Sequence, residues 1–462
     1  MISLHFIDWL ILGIYFSGII IIGIFRSKNN SESEEAFILG GRKLSLPGFI
    51  ASLVATWYGA ILGVGENTFL YGIQTWFIFA LPYYIFAVCY AFWVAPKIQQ
   101  AKMISIPDHF RYYFGEHSGV ISALLLFFLA SPAPYILSMG ILIETFFEIE
   151  FGISLMISVV FSIIYVWNGG FGAVIRTDMI QFILMFIGFF LLVFFSWINF
   201  GSPVNIYNSL PENHLDPLGG NSIQYVLVWF FIAIWTMIDP GFYQRCAAAK
   251  SIKIVKNGLF LSVGFWFIFD LLTVLSGLYA VIAIQTDNAI FSYPLLGIKV
   301  LPAGILGLFL TGILATIMST IDSFSFISAI TFGRDILWQI QKNRSRVSSI
   351  KMIKKGLLIT SFIALSLAYL IPSVVRLFYT LGSVLIPGLI IPFLYTLSNQ
   401  SKILKGSIGK FWILLPVLAS IIWLFIGYIK NEYLLGIEPF YPGILLSSIL
   451  GIYFHKFNSP IK

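Results

Sequence analysis

Apolar runs of membrane length follow one another along almost the whole chain, at about 6–25, 47–72, 75–95, 118–148, 151–168, 171–199, 223–244, 256–284, 303–338, 355–372, 374–398, 410–428 and 439–456. Runs of this length and purity belong in a bilayer, where only a helix or a closed barrel satisfies its backbone N–H and C=O groups. A barrel would show alternation over roughly ten residues, not solid apolar blocks. Charged residues make up 10% of the 462, whereas a soluble domain of this size carries about 25%. The sequence therefore predicts an all-α integral membrane protein with about 13 transmembrane helices and no water-soluble domain. The first run has neither a basic stretch before it nor a small-residue cleavage site after it, so it reads as a retained helix. The two cysteines, Cys89 and Cys246, cannot form a disulfide framework.

The loop charges orient these spans. With the amino terminus outside, every Lys and Arg of the 27 except Lys299, Arg376 and Lys430 falls on one side, and the connection 201–222 contains none. The positive-inside rule identifies that side as cytoplasmic. The reading is a multi-pass protein of the plasma membrane, or of the inner membrane in a bacterium, with its carboxy terminus in the cytoplasm. The net charge of +7 then reflects orientation in a lipid bilayer, and no nucleic-acid partner is implied.

Enzyme chemistry has no foothold. His5, His109, His117, His214 and His455 lie in loops or at span ends without metal-ligand spacing. No phosphate-binding Gly-rich motif suggests ATP-driven transport.

Polar residues inside the spans carry the remaining information, because an ionisable group at mid-bilayer costs about 2.5–3.5 kcal/mol on insertion scales. Glu66, Asp178, Asp270 and Asp322 are such groups. In the span 303–338, Thr316, Ser319, Thr320 and Ser323 recur at i, i+3, i+4 and i+7 and so share one helix face. Hydroxyls and carbonyls suit a hard cation such as sodium. The same spacing is equally compatible with interhelical hydrogen bonding. In the span 47–72, Gly59, Gly63 and Gly65 each lower helix propensity by about 1 kcal/mol relative to Ala. A break near Trp57–Ala60 would free carbonyls that only an ion or a polar cavity can satisfy. Asp178 begins a span beside Arg176, and Asp270 sits mid-span. No Lys or Arg falls in the expected central cavity, so a strongly anionic substrate has no obvious partner there.

These segments together resemble the sodium:solute symporter family. The resemblance covers about Phe37 to Leu397 and includes Phe37-Ile-Leu-Gly-Gly-Arg-Lys-Leu44, Ser105-Ile-Pro-Asp-His-Phe-Arg-Tyr-Tyr-Phe-Gly115, Gly169–Gln181, Tyr243-Gln-Arg-Cys-Ala-Ala-Ala-Lys250 and Ala315–Ser323. It implies a leucine-transporter-type fold of two inverted five-helix repeats, 47–199 and 223–398. An extra helix and loop (1–46) would precede them, a connection (200–222) would separate them, and two peripheral helices (399–462) would follow. It implies sodium-coupled symport of a small organic solute by alternating access, with Na⁺ as the co-transported ion. By position, Ala55 and Tyr58 would give sodium their carbonyls, and Thr316, Ser319 and Thr320 a carbonyl and two hydroxyls. Asp178 would border a second sodium position or the exit path. Trp57 and Gly59 would face substrate, and Trp235 would gate it. The chain departs from sugar-carrying members at Leu62 and in the apolar stretch 127–141. The rival readings are a non-transporting sensor or scaffold on the same fold, and a proton-coupled transporter with Asp178 or Asp322 as carrier.

Overall fold

A computed structural model of the chain describes residues 4–25, 33–341, 344, 347–398, 403–404 and 407–457. Arg26, Lys28, Lys342, Arg346, Lys402, Lys405 and Lys462, which contribute to the charge asymmetry, lie outside the described residues. Among the described residues, ten helical segments are long and apolar enough to cross a membrane. The broken pair Leu46–Ala55 and Ile61–Tyr71, the first limb of Phe151–Phe200, and Phe440–Phe457 supply three further passes.

In chain order the passes are α1 (Phe6–Phe25), α2a and α2b (Leu46–Ala55, Ile61–Tyr71), and α3 (Gln74–Phe79 with Leu81–Trp93). Then come α4a and α4b (Glu116–Leu129, Ala133–Phe147), and α5 and α6, the two limbs of Phe151–Phe200 on either side of Gly170. They continue as α7a and α7b (Ile223–Ile232, Pro240–Ala248), α8 (Ile252–Ala283), α9 (Ile305–Phe332), α10 (Ser349–Leu370), α11 (Val374–Thr396), α12 (Ser407–Lys430) and α13 (Phe440–Phe457).

The breaks follow from particular residues. Gly170 sits at φ 53 with its α-carbon against the Phe37 carbonyl, where a Cβ would come within 2.6 Å; the chain there needs glycine. The run 118–148, expected as one span, is bent at Ala130–Pro132 ahead of a second proline, Pro134. The proline rings remove helix donors, and Ser328 Oγ on α9 donates to the freed Ala130 carbonyl at 2.6 Å.

α9 is the axis of the molecule. Its membrane window is 83% buried, against 28% for α1 at the lipid side. α6 lies along α9 with Gly188 and Gly312 in contact; a Cβ on Gly312 would come within 2.8 Å of the Leu184 carbonyl. Small residues at such a crossing let two backbones approach and make up for the missing hydrophobic drive in lipid. Asp8 on α1 is buried and accepts from the Gly304 and Gly307 N–H groups at 2.7 and 2.8 Å, placing a carboxylate on the positive end of α9.

The basic loops meet on one face. Arg334 pairs with Glu34 at 2.5 Å, with Asp108 at 3.0 Å, and with Asp335. Arg111 pairs with Asp108 and Glu116, both at 3.0 Å. Arg42 donates to the Ala247 and Lys102 carbonyls, and the strand-like pair Leu44–Ala249 ties the start of α2a to the end of α7b. On the opposite face the connection after α6 covers α2b: the Ile73 N–H donates to the His214 carbonyl and Gln74 Nε2 to the Leu218 carbonyl.

Candidate functional site

Two helices, α2 and α7, lose their regularity beside α9. In α2 the chain is non-helical over 56–60. The Thr56 hydroxyl donates to Ser52 O at 2.6 Å, and the Thr56 and Trp57 N–H groups fold back on Ser52 O and Val54 O. No backbone N–H among the described residues returns to Ala55 O. The break expected near Trp57–Ala60 is therefore present, one residue earlier than read from the glycines. In α7 a tight 3-10 turn spans Ala233–Ile238, Asp239 is extended, and Pro240 restarts the helix with the Asp239 side chain capping the Phe242 N–H at 2.8 Å. Proline at the first helical position and an aspartate cap explain that restart.

α9 presents its hydroxyls to these breaks. Thr320 Oγ1 donates to the Thr56 carbonyl at 3.0 Å, inside the unwound stretch. Ser319 Oγ donates to Asp178 Oδ1 at 2.6 Å, and Ser52 Oγ donates to Asp178 Oδ2 at 2.5 Å. Thr316 differs: its hydroxyl bonds back to Gly312 O at 2.7 Å, leaving its carbonyl, which Thr320 also touches at 3.2 Å, toward the site. Gly59 makes the approach possible. A Cβ there would lie 2.5 Å from Thr320 Cβ and 2.6 Å from Tyr135 Cδ1.

The hydroxyl-bearing face thus meets the Thr56 carbonyl and Asp178, and Ala55, Tyr58, Thr316, Ser319, Thr320 and Asp178 are all buried. Ser319 and Thr320 spend their protons on Asp178 and Thr56, which leaves oxygen lone pairs for a hard cation. The Tyr58 carbonyl accepts from the Ile61 N–H, while its ring packs on Phe269 and its hydroxyl donates to Trp266 O at 3.2 Å. Gly59 faces α9 and Tyr135; the residues lining the central cavity do not include it.

One residue of this centre was not expected. Arg245, assigned from its charge to a loop, is fully buried on α7b. Its guanidinium donates to Ser52 Oγ (2.9 Å), Thr56 Oγ1 (2.7 Å), Ser323 Oγ (2.8 Å) and Gly241 O (3.3 Å), and lies 3.6 Å from Asp178 Oδ2. Asp178 is thus an ion-pair partner of Arg245. The signal in the sequence was the neighbourhood: Arg245 is followed by Cys246-Ala-Ala-Ala, an apolar setting unlike that of a loop cation.

Above the unwound stretch lies a cavity of about 130 Å³. It extends from Trp57 and Asp239 past Gly63, Val64, Val374 and Val375, toward the face opposite the basic loops. Trp57 closes it on the other side through ring contacts with Tyr83 (4.9 Å), Trp266 (5.3 Å) and Phe242 (5.6 Å). Trp235 lines the wall against Phe378 at 6.1 Å. Asp270, mid-span on α8, reaches the cavity and accepts from Tyr84 Oη.

Residues 37–400 match the pattern of the sodium:solute symporter family. The osmoregulated proline transporter OpuE of Bacillus subtilis (strain 168) is 25% identical over 475 positions, covering 96% of this chain and 93% of its own. The sodium/pantothenate symporter of Haemophilus influenzae is 31% identical over 241 positions, 49% of each chain. In structure, a Na⁺-coupled sialic acid symporter in a substrate-bound outward-open state aligns with a TM-score of 0.83 at 17% identity, covering 100% of this chain and 99% of the other.

Proposed function

The chain belongs to the sodium:solute symporter family, and from that premise we propose how its residues couple sodium to solute. It is a multi-pass membrane protein of leucine-transporter-type fold, and its activity is sodium-coupled solute symport, not enzymatic catalysis. In our reading, sodium binds between the α2 break and α9, on the carbonyls of Ala55, Tyr58 and Thr316 and the hydroxyls of Ser319 and Thr320. The observation that carries this is the Thr320 hydroxyl on the Thr56 carbonyl, which joins the hydroxyl face of α9 to the unwound backbone.

Asp178 supplies the negative charge beside the ion, and Arg245 balances that charge. Trp57 and Trp235 border the solute, and Gly59 holds the unwound chain against α9. The repeats are 47–199 and 223–398. The protein sits in the plasma membrane, or the inner membrane of a bacterium, with the basic face cytoplasmic, so the cavity extends outward and the Arg334 network closes the inner side. Sodium steadies the broken helix, solute fills the cavity, and the repeats rock to expose both to the cytoplasm.

One sodium crossing 100 mV releases about 2.3 kcal/mol, and a tenfold gradient adds about 1.4 kcal/mol. The sum of about 3.7 kcal/mol supports roughly 500-fold accumulation of a neutral solute. Uptake into proteoliposomes under an inward sodium gradient, against the same gradient of potassium at fixed pH, tests the coupling. Sodium-driven accumulation is the expected result. Equal uptake with potassium, or accumulation that follows a proton gradient instead, would overturn the sodium site.

A further inference from the structure

Half of the residues lining the cavity are aromatic, and its only charged side chains are acidic. Among its lining residues, Asp239 and Asp270 are carboxylates and no Lys or Arg is present. Arg245, the nearest buried cation, directs its donors to Ser52, Thr56, Ser323 and Gly241, and it does not line the cavity. Trp57, Tyr83, Tyr135, Trp229, Trp235 and Phe378 bring ring surface to one small space. Ring faces carry partial negative charge and attract cations most strongly when water is excluded. Asp239 already caps the Phe242 N–H and has Arg245 as a counter-charge, whereas a neutral apolar solute would leave Asp270 without one and an anion would be repelled by it.

A second, separate observation concerns the indoles. Trp235 is 8% exposed, lines the cavity, and its Nε1–H has no hydrogen-bond partner, whereas Trp229 is paired with Tyr225. A buried N–H without a partner is costly, so an acceptor atom on the solute has one donor waiting for it. Size limits the solute further. A cavity of about 150 Å³ holds a benzene-sized molecule, so a cavity of about 130 Å³ fits roughly six non-hydrogen atoms.

We propose that the solute is a small organic ammonium ion, a protonated amine or quaternary ammonium, bearing an oxygen acceptor. Its ammonium group rests among the rings in the field of Asp270, and its oxygen accepts from the Trp235 indole. This rests on the symporter reading of the same cavity. It does not rest on where sodium sits.

The test is a thermal-shift and equilibrium-binding panel on the full chain in nanodiscs, in sodium and in potassium buffer, with choline, glycine betaine, tetramethylammonium, proline and glucose as probes. Saturable binding of choline or glycine betaine, with glucose inert, is the expected result. Asp270→Asn should weaken that binding at least tenfold while the stabilisation by sodium alone persists. If Asp270→Asn does not fold, Trp235→Phe keeps the ring and removes the donor; it should weaken choline or glycine betaine several-fold and leave tetramethylammonium unchanged. Binding of glucose without any of the ammonium probes overturns the ammonium inference but leaves the symporter reading intact. Ammonium binding with no sodium effect on stability or affinity overturns the sodium coupling and leaves the inference standing. Unchanged ammonium affinity in both variants overturns the inference.

Discussion

Asp178 and Arg245 form a buried pair beside the proposed ion, and their joint removal should be milder than the loss of Asp178 alone. An ion held on Ser319 Oγ at about 2.4 Å, the oxygen distance of a calcium-sized cation, lies within roughly 5 Å of the Asp178 carboxylate; the intervening hydrogen bond is 2.6 Å. At an effective dielectric near 20 that attraction is about 3.3 kcal/mol. Asp178→Asn should therefore weaken sodium on the order of 100-fold. It also strips Arg245 of a partner 3.6 Å away, and leaving a buried charge unpaired typically costs about 3–5 kcal/mol in stability. Arg245→Gln added to Asp178→Asn removes a positive charge about 6 Å from the ion, returning about 2.8 kcal/mol. The double variant should bind sodium within roughly tenfold of the parent and regain most of the lost stability. The assay is the sodium concentration giving half-maximal thermal stabilisation for parent, both single variants and the double. A double variant no better than Asp178→Asn, in stability and in sodium response, would refute the charge-balance reasoning.

Three further outcomes follow from the geometry. Gly59→Ala places a methyl 2.5 Å from Thr320 Cβ; about 1–3 kcal/mol of overpacking should part the α2 break from α9, so sodium-driven uptake falls by at least tenfold while the protein still reaches the membrane, and full uptake would contradict the contact. Arg334→Ala removes the pairs to Glu34, Asp108 and Asp335; labelling of Cys246, which is fully buried, by a membrane-permeant thiol reagent should speed up roughly tenfold as the basic face opens more often. His109, on the short helix Ile106–Phe114 outside the spans, is pushed down from 6.5 to about 4 by burial, with Asp108 opposing. Its neutral form is therefore favoured in the fold, the unfolded chain binds the extra proton first, and stability should decline as pH falls from 6.5 toward 4; His109→Gln should flatten that decline in a thermal-melt series.

The passes were legible in the sequence because each is an unbroken apolar block, and the bend at Gly170 falls in the gap expected between 168 and 171. The α2 break could be read from Gly59 and its neighbours, and the shared face of Ser319, Thr320 and Ser323 from helical spacing alone. Arg245 was missed, although its apolar neighbours Cys246-Ala-Ala-Ala were in view. A loop count treats every Arg near a span end as solvated, and only the fold reveals that α7 restarts at Pro240 early enough to carry Arg245 into the core. The Asp178 partner was hidden for the same reason: the ion pair is made with a residue 67 positions later, on another helix. The bend in α4 was hidden because Pro132 and Pro134 lie in an apolar run that scores as one span, and the hydroxyl that makes the bend tolerable, Ser328, comes from a different helix.

Equilibrium binding of radioactive ²²Na⁺ to the purified protein, parent against Thr320→Val and Ser319→Ala, puts the coupling site under the most direct test. Saturable binding to the parent, at least tenfold weaker in each variant with the fold retained, is what a cation held between α9 and the unwound stretch requires. Undiminished ²²Na⁺ affinity in both variants would mean that the ion binds elsewhere.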